Sequence, residues 1–339
     1  MTAPFTVVDV DCARGEYRHE RDRFRAAGID FVLRPAATED AIIVAAADAD
    51  VLLLEQPSTP ITARVVEALR RCRAIVKYSV GVENVDLPTA ARQGIVVCNA
   101  PDYCTEDVSD HAVALLLAGA RRIVAMDRHI RAGRWSGCPQ IMSIRRIKSM
   151  TLGVVGMGRI GRATARKMLV FGMRILVTDP NLPAGWAEPG LERVTLDALL
   201  RDADLVSVHV PLSAQTRGCI GAAELALMKP TAIIVNTSRG PVIDESALVR
   251  ALRDGLIAGA ALDVFEVEPL PPDSPLREFE NVTLTPHFGA GSIEARAECV
   301  ATVVTSIEAV ARGYWPPFPV NPDVRPRFPL RPWAEFKEA

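Results

Sequence analysis

The sequence predicts an α/β protein with two doubly wound parallel-sheet domains and a cleft between them. Short apolar runs alternate with helical patterns along most of the chain, which is typical of parallel sheets covered by helices on both faces. The 339 residues are enough for about two domains. The alternation starts afresh near residue 151 with a glycine-rich turn that the first block lacks.

The first block predicts five buried strands, with helices at 61–71 and 87–93 between them. The strands are expected at 6–9, 31–33, 51–54, 74–78 and 95–98. The second block predicts six strands, at 151–155, 174–178, 205–209, 232–236, 258–263 and 282–285, with a helix over 162–171. Both blocks therefore predict Rossmann/flavodoxin-like domains.

Two long helical segments define the expected domain boundaries. Residues 105–133 predict one long, largely buried helix that joins the domains and carries a subunit interface. Residues 292–313 predict a helix that returns to the first domain. We therefore expect a discontinuous substrate-binding domain (1–102 and 291–325), a nucleotide-binding domain (103–290) and a C-terminal tail (326–339).

Composition excludes several classes of protein. The 39 basic and 41 acidic residues give a net charge of −2, and no basic patch or charge block indicates nucleic acid or a membrane surface as partner. The first residues do not resemble a signal peptide. Seven cysteines without a CxxC pair predict a reduced, cytoplasmic protein without a metal site; they are Cys12, Cys72, Cys98, Cys104, Cys138, Cys219 and Cys299.

The strongest motif is a strand that runs into Gly156-x-Gly158-x-x-Gly161, followed by a helix and a second strand that ends on Asp179. The glycines permit a tight turn, close approach of a pyrophosphate and close helix–strand packing. The start of the helix offers free N–H groups to phosphates. Asp179 is placed to accept hydrogen bonds from a ribose and to repel a 2′-phosphate. The motif predicts a dinucleotide site that prefers NAD(H) over NADP(H).

Three residues that follow predicted strands suggest the chemistry. Arg239 suits bidentate binding of a carboxylate beside a carbonyl group. His287 follows an apolar strand and a proline, and histidine is the usual group for proton transfer near neutral pH. Glu268 suits a carboxylate that orients this imidazole.

The other histidines fit this chemistry less well. We expect His19 and His129 to be exposed and His111 to be a satisfied structural group on the long helix. His209 ends a predicted strand and is a candidate for the cofactor cleft.

These motifs, together with Gly81-Val-Glu-Asn84-Val-Asp86, resemble in order the D-2-hydroxyacid dehydrogenase family. The resemblance covers about residues 5–322. Within the family, the chain looks most like the bacterial branch related to the C-terminal-binding-protein corepressors.

The resemblance implies an NAD-dependent dehydrogenase of a small 2-keto or D-2-hydroxy acid that forms homodimers. Arg239, Glu268 and His287 would be catalytic, and Lys77, Val80 and Gly81 would join Arg239 and His287 around the substrate. The motif, the strand ends and the resemblance together give the expected cofactor contacts: Gly156, Gly158, Arg159, Ile160, Gly161, Asp179, His209, Val210, Pro211, Thr237, Ser238, Asp263 and Gly289.

The chain departs from that branch after the catalytic histidine. The relatives have an Ala-Trp-Tyr-Ser stretch, whereas this chain has Phe288-Gly-Ala-Gly291-Ser292, so we expect a larger or differently shaped pocket. Lys77 stands where arginine is common; it either meets a second anion on the substrate or covers apolar surface.

One alternative from another class stays open at this point. Corepressors of this family also keep the catalytic residues, so the sequence also fits a dinucleotide-sensing interaction protein with little or no turnover. Among other enzymes, a formate dehydrogenase would have Gln in place of Glu268. None of the four tyrosines is followed three positions later by lysine, which disfavours a short-chain dehydrogenase.

Overall fold

Both predicted blocks form parallel sheets in the computed structural model, which describes residues 4–12, 15–56, 58–136 and 144–336. The strands are β1 (Phe5–Asp9), β2 (Ile29–Leu33), β3 (Val51–Leu54), β4 (Ala74–Lys77), β5 (Val96–Cys98), β6 (Thr151–Val155), β7 (Arg174–Thr178), β8 (Leu191–Arg193), β9 (Leu205–Val208), β10 (Ile233–Asn236), β11 (Gly259–Leu262) and β12 (Val282–Leu284). The two-sheet α/β prediction is confirmed.

Helices occupy most of the connections between strands. They are α1 (Arg18–Ala26), α2 (Glu39–Ala45), α3 (Ala63–Ala68), α4 (Leu87–Arg92), α5 (Thr105–Ala120), α6 (Ile123–Arg131), α7 (Arg159–Leu169), α8 (Leu196–Asp202), α9 (Ala222–Leu227), α10 (Glu245–Arg253), α11 (Ile293–Ala311) and α12 (Trp333–Phe336). Short 3₁₀ turns lie at Ile147–Ser149, Gly240–Val242 and Pro275–Arg277.

The chain divides into two units. Unit 1 comprises Met1–Tyr103 and Ile293–Ala339, and unit 2 comprises Cys104–Ser292. The five-stranded sheet of unit 1 has the order β2-β1-β3-β4-β5, and the seven-stranded sheet of unit 2 has the order β12-β11-β10-β9-β6-β7-β8. In unit 2 the strand order reverses between β6 and β9, and open parallel sheets bind ligands beyond the carboxyl ends of the strands at such a point.

Each sheet has a core on both faces, because alternate side chains of a strand point in opposite directions. In β10, Ile234 packs into one core of unit 2, whereas Ile233 and Val235 pack into the other. In unit 1, α11 contributes Val303 and Ile307 to a core that it shares with the strands of that sheet.

The segment 105–133 is two helices, so the prediction of one continuous helix is wrong. The chain breaks at Arg122, whose φ is +54°, a left-handed conformation that a helix interior does not tolerate. The Arg122 guanidinium donates to the carbonyl of Ala258. The prediction that Ala112–Ala120 is buried nearly all round is also too broad, because α5 buries Leu115 and Leu116 but exposes Ala114.

Two further local features differ from the sequence prediction. The edge strand β8 was not predicted, because its three residues are half-exposed or exposed and include two charged side chains. His129 is buried rather than exposed; its Nε2 lies 3.1 Å from the carbonyl of Ser136, and its Nδ1 accepts a hydrogen bond from Arg134.

The cysteines of the described residues are all free thiols, and Cys138 lies outside those residues. Among the helices of the described part of the chain, none combines the length and apolarity needed to cross a bilayer.

Candidate active site

The glycine-rich turn between β6 and α7 has the geometry of a phosphate-binding loop. Gly156 has a φ of +96°, and a Cβ on it would lie 2.7 Å from the carbonyl oxygen of His209. A Cβ on Gly161 would lie 2.0 Å from the carbonyl oxygen of Gly156, so only glycine lets α7 approach the turn. A Cβ on Gly158, the N-cap residue of α7, would meet nothing within 4 Å. The space in front of α7 is therefore open, as a pyrophosphate requires.

Asp179 follows β7 directly and is half-exposed. Its Oδ2 accepts a hydrogen bond of 2.8 Å from the backbone N–H of Met157, and its Oδ1 accepts one of 2.8 Å from that of Asn181. Each carboxylate oxygen has further lone pairs, so these bonds orient the side chain and leave acceptor capacity for ribose hydroxyls.

His209, Val210 and Pro211 follow β9, on the other side of the point where the strand order reverses. The Oγ of Ser207 lies 2.8 Å from His209 Nε2. Burial of the imidazole lowers the pKa of His209 to about 4. This ring is therefore neutral at physiological pH, while the backbone carbonyl and Cβ of His209 pack against Gly156 and Gly161 of the turn.

The loop after β10 contains Thr237, Ser238 and Arg239. The Asn236 side chain fixes this loop: its Oδ1 accepts from the N–H and hydroxyl of Ser238, and its Nδ2 donates to the carbonyl of Arg239. The hydroxyl of Thr237 is buried and has no hydrogen-bond partner among the described residues. Buried polar groups rarely lack a partner, so this hydroxyl fits a site that a polar cofactor would complete.

Arg239 and Glu268 lie on loops that pack tightly together. A Cβ on Gly240 would lie 1.8 Å from the carbonyl oxygen of Phe265, so glycine at this position allows the close approach. One Nη of Arg239 donates to the carbonyl of Ser238 at 2.7 Å. The positive charge of Arg239 is close enough to contribute to the lowered pKa of Glu268.

Glu268 and His287 form a direct pair. His287 Nδ1 lies 2.6 Å from Glu268 Oε2, and Glu268 Oε1 accepts from the backbone N–H of Phe265 at 2.9 Å. Burial opposes ionisation of Glu268, but the hydrogen bond and charge of His287 outweigh it and lower the pKa of the carboxyl below its usual value. The structure thus brings together the three residues that the sequence predicts as catalytic.

Asp263 organises the loop that carries His287. Its backbone carbonyl accepts from the N–H of His287 at 2.7 Å, and its carboxylate accepts from the N–H groups of Phe288 (3.0 Å) and Gly289 (2.9 Å) and from the hydroxyl of Thr285 (2.5 Å). Burial alone would raise the pKa of Asp263, but these bonds and His111 lower it well below the usual range.

The sequence predicted no role for Thr285 and no link between it and His111. Thr285 is only the last residue of the predicted strand 282–285, and His111 lies 174 positions away in the sequence. The departure after His287 also has a clear geometry. A Cβ on Gly291 would lie 2.1 Å from the ring of Phe288, so the small residue lets this exposed ring fold over the turn.

The predicted substrate residues of unit 1 lie at the carboxyl end of β4. Lys77 is buried, and its Nζ donates to Asn84 Oδ1. Asn84 in turn donates to the carbonyl of Thr59 at 2.7 Å. Among the described residues, the backbone N–H groups of Val80 and Gly81 have no hydrogen-bond partner. Two adjacent N–H groups of this kind suit an anion.

Comparison with known proteins identifies relatives of this site. Residues 113–289 match the family model of the D-isomer specific 2-hydroxyacid dehydrogenase, NAD binding domain. A glyoxylate reductase from Korarchaeum cryptofilum is 47% identical over 268 residues, which cover 78% of this chain and 81% of that protein.

Solved structures show the same fold with either dinucleotide. A D-lactate dehydrogenase from Aquifex aeolicus, complexed with NAD and lactic acid, superposes with a TM-score of 0.82 at 26% identity over 91% of this chain and 96% of its own. An NADPH-dependent glyoxylate/hydroxypyruvate reductase from Sinorhizobium meliloti, in complex with NADP and malonate, has a TM-score of 0.80 at 29% identity over 97% and 99%.

Proposed function

This chain belongs to the D-2-hydroxyacid dehydrogenase family and is an NAD(P)-dependent 2-hydroxyacid dehydrogenase, and we propose that it interconverts a small 2-keto acid and the D-2-hydroxy acid. Glyoxylate is the first substrate to test, because the Korarchaeum relative is a glyoxylate reductase. The observation that carries the proposal is the 2.6 Å pair of His287 and Glu268, together with Arg239 on a loop that packs against the loop of Glu268.

His287 is the proposed proton donor during reduction. Its Nδ1 faces Glu268, which leaves Nε2 as the nitrogen that gives a proton to the carbonyl oxygen and takes it back during oxidation. The lowered pKa of Glu268 keeps this carboxylate charged, so that it holds the ring in one orientation and stabilises its protonated form. Bound NADH would supply the hydride that reaches C2.

Arg239 is the proposed anchor of the substrate. A guanidinium binds a carboxylate through two parallel hydrogen bonds and also polarises an adjacent carbonyl. The N–H groups of Val80 and Gly81 are proposed as a further carboxylate contact, because they lack partners among the described residues. Lys77 is proposed to support that loop through Asn84.

NAD(H) is the proposed cofactor, in preference to NADP(H). The open space at Gly158, the buried hydroxyl of Thr237 and the half-exposed carboxylate of Asp179 fit a dinucleotide. The charge of Asp179 would repel a 2′-phosphate. Because the solved relatives hold either NAD or NADP, this preference depends on Asp179 itself.

The quaternary state and location remain part of the proposal. We propose a cytoplasmic homodimer, in keeping with the family resemblance and with free thiols at the described cysteines. Size-exclusion chromatography with light scattering would give the oligomeric state, and a monomer at micromolar concentration would contradict the dimer.

The variant His287→Ala tests the proposed function directly. We expect kcat for NADH oxidation with glyoxylate to fall about 10²–10⁴-fold, while the NADH affinity, measured by fluorescence, stays nearly unchanged. His19→Ala is the matched control, since His19 is exposed on α1. A His287→Ala enzyme that keeps more than about a tenth of kcat would remove His287 from acid–base catalysis.

A further inference from the structure

We propose that His111 is a positioning residue for catalysis, which acts through Thr285 and Asp263 on the loop that carries His287. The inference rests on the proposed role of His287. His111 lies on α5, and its side chain is about one-quarter exposed. Its Nε2 lies 3.0 Å from Thr285 Oγ1 and 3.3 Å from Asp263 Oδ1.

The available protons define which of the three groups donates each hydrogen bond. The Thr285 hydroxyl has one proton, which it donates to Asp263 Oδ1 at 2.5 Å. The His111 nitrogen beside that hydroxyl must therefore be the donor, with the proton on Nε2. The order is thus His111 Nε2–H to Thr285 Oγ1–H to the Asp263 carboxylate.

The Asp263 residue connects these hydrogen bonds to the loop that carries His287. Its carboxylate accepts hydrogen bonds from the N–H groups of Phe288 and Gly289, and its backbone carbonyl accepts one from the N–H of His287. Rotation of the carboxylate would lengthen its bonds to Thr285, before His287, and to Phe288 and Gly289, after it. His111 and Thr285 restrict this rotation because they lie 3.3 and 2.5 Å from Oδ1, the oxygen that also accepts from the N–H of Phe288.

The backbone of His287 needs such restraint. Its φ is +53°, a region that non-glycine residues seldom adopt, and such a conformation persists only where the surroundings over-determine it. That conformation sets where the imidazole leaves the chain and meets Glu268. A contact on α5, far from His287 in sequence, thereby contributes to the placement of the proton donor.

The test compares variants that remove or keep each hydrogen-bonding group. His111→Leu and Thr285→Val remove a group, whereas His111→Gln keeps an N–H donor and Thr285→Ser keeps the hydroxyl. Thr283→Val, inside β12, which ends one residue before Thr285, is the matched control. For each enzyme we would measure kcat, KM for glyoxylate, melting temperature and the solvent deuterium isotope effect on kcat.

We expect His111→Leu and Thr285→Val to lower kcat about 10–100-fold, since a displacement of about 1 Å has effects of this order. The solvent isotope effect should rise as proton transfer becomes slower, and KM should change less than kcat. His111→Gln and Thr285→Ser should recover most of the loss. The double variant should lose little more than either single variant, because both break one chain of bonds.

Two results would overturn the inference. One is a kcat within about twofold of wild type for both His111→Leu and Thr285→Val. The other is a loss of kcat that is as large in the conservative variants as in these two and that accompanies a lower melting temperature, because such a loss indicates only a structural role. His287→Ala, assayed alongside, separates the two proposals: if it retains turnover the proposed function fails, whereas loss there with an active His111→Leu enzyme refutes only the role of His111.

Discussion

At the residue scale, the site works through charges that the fold holds in fixed states. Glu268 is kept ionised by His287, and Asp263 is kept ionised by the groups around it, although burial opposes both. His209 is kept neutral by burial. The surroundings of each group thus set its charge.

Replacement of Glu268 by Gln should change both rate and pH dependence. The amide keeps the size of the side chain but removes the negative charge that favours protonated His287. We expect kcat for keto-acid reduction to fall, and the basic limb of the pH–rate profile to move to lower pH, because the proton donor is lost earlier as pH rises. Profiles of wild type and variant that coincide would show that Glu268 has only a structural role.

Asp179 is expected to determine the choice of dinucleotide. Asp179→Ala and Asp179→Asn both remove the charge, but Asn keeps an oxygen for the N–H of Met157. We expect each to lower the ratio of kcat/KM for NADH over NADPH about tenfold or more, equivalent to about 1.4 kcal/mol. An unchanged ratio in both variants would show that another residue discriminates against the 2′-phosphate.

At the scale of elements, the β6–turn–α7 unit brings the cofactor site together. Its three glycines have different roles, since Gly156 and Gly161 face backbone atoms of the protein, whereas Gly158 faces open space. Comparison of a substitution at Gly161 with one at Gly158 can therefore separate an effect on folding from an effect on NADH binding.

Gly161→Ala should destabilise the protein by about 1–3 kcal/mol, because the new methyl group overlaps a backbone carbonyl. Gly158→Ala should cost less than about 1 kcal/mol, since only an N-cap preference is lost, yet it should weaken NADH binding at least about tenfold. Thermal melting and NADH fluorescence measure the two effects. A Gly158→Ala enzyme with normal NADH affinity would contradict a pyrophosphate at this turn.

The elements that the sequence predicted well are those with local signals. The bounds of β6 and β7 agree with the structure, because each is a short, mostly apolar run that ends directly before a glycine (Gly156) or an aspartate (Asp179). The break before α6 was missed because Arg122 is a good helix former, and its left-handed backbone accompanies a distant contact with Ala258. The His111–Thr285 contact is equally non-local, so no spacing in the sequence indicates it.

At the scale of the whole molecule, the groups proposed for catalysis are concentrated in unit 2. Arg239, Glu268, His287 and the glycine turn all lie in this continuous stretch of chain, which also has its own cores on both faces of its sheet. Val80 and Gly81, the proposed carboxylate contacts, lie in unit 1.

A fragment of residues 104–292 should therefore fold and bind NADH but not reduce keto acids. Cooperative melting and fluorescence titration would show the first two properties, and Gly158→Ala in the same fragment is the control for specific binding. A misplaced substrate costs roughly 10²-fold in rate, so a fragment that turns over glyoxylate at more than about one-hundredth of the intact rate would contradict a substrate role for unit 1.

The central claim is transfer of hydride from a nicotinamide to C2 of a 2-keto acid with D stereochemistry. The most direct measurement is reduction of hydroxypyruvate by NADH that carries deuterium at C4 of the nicotinamide, in the position from which the hydride is transferred. The product would be analysed by NMR and chiral chromatography. We predict D-glycerate with deuterium at C2. L-glycerate, or glycerate without deuterium at C2, would contradict the account.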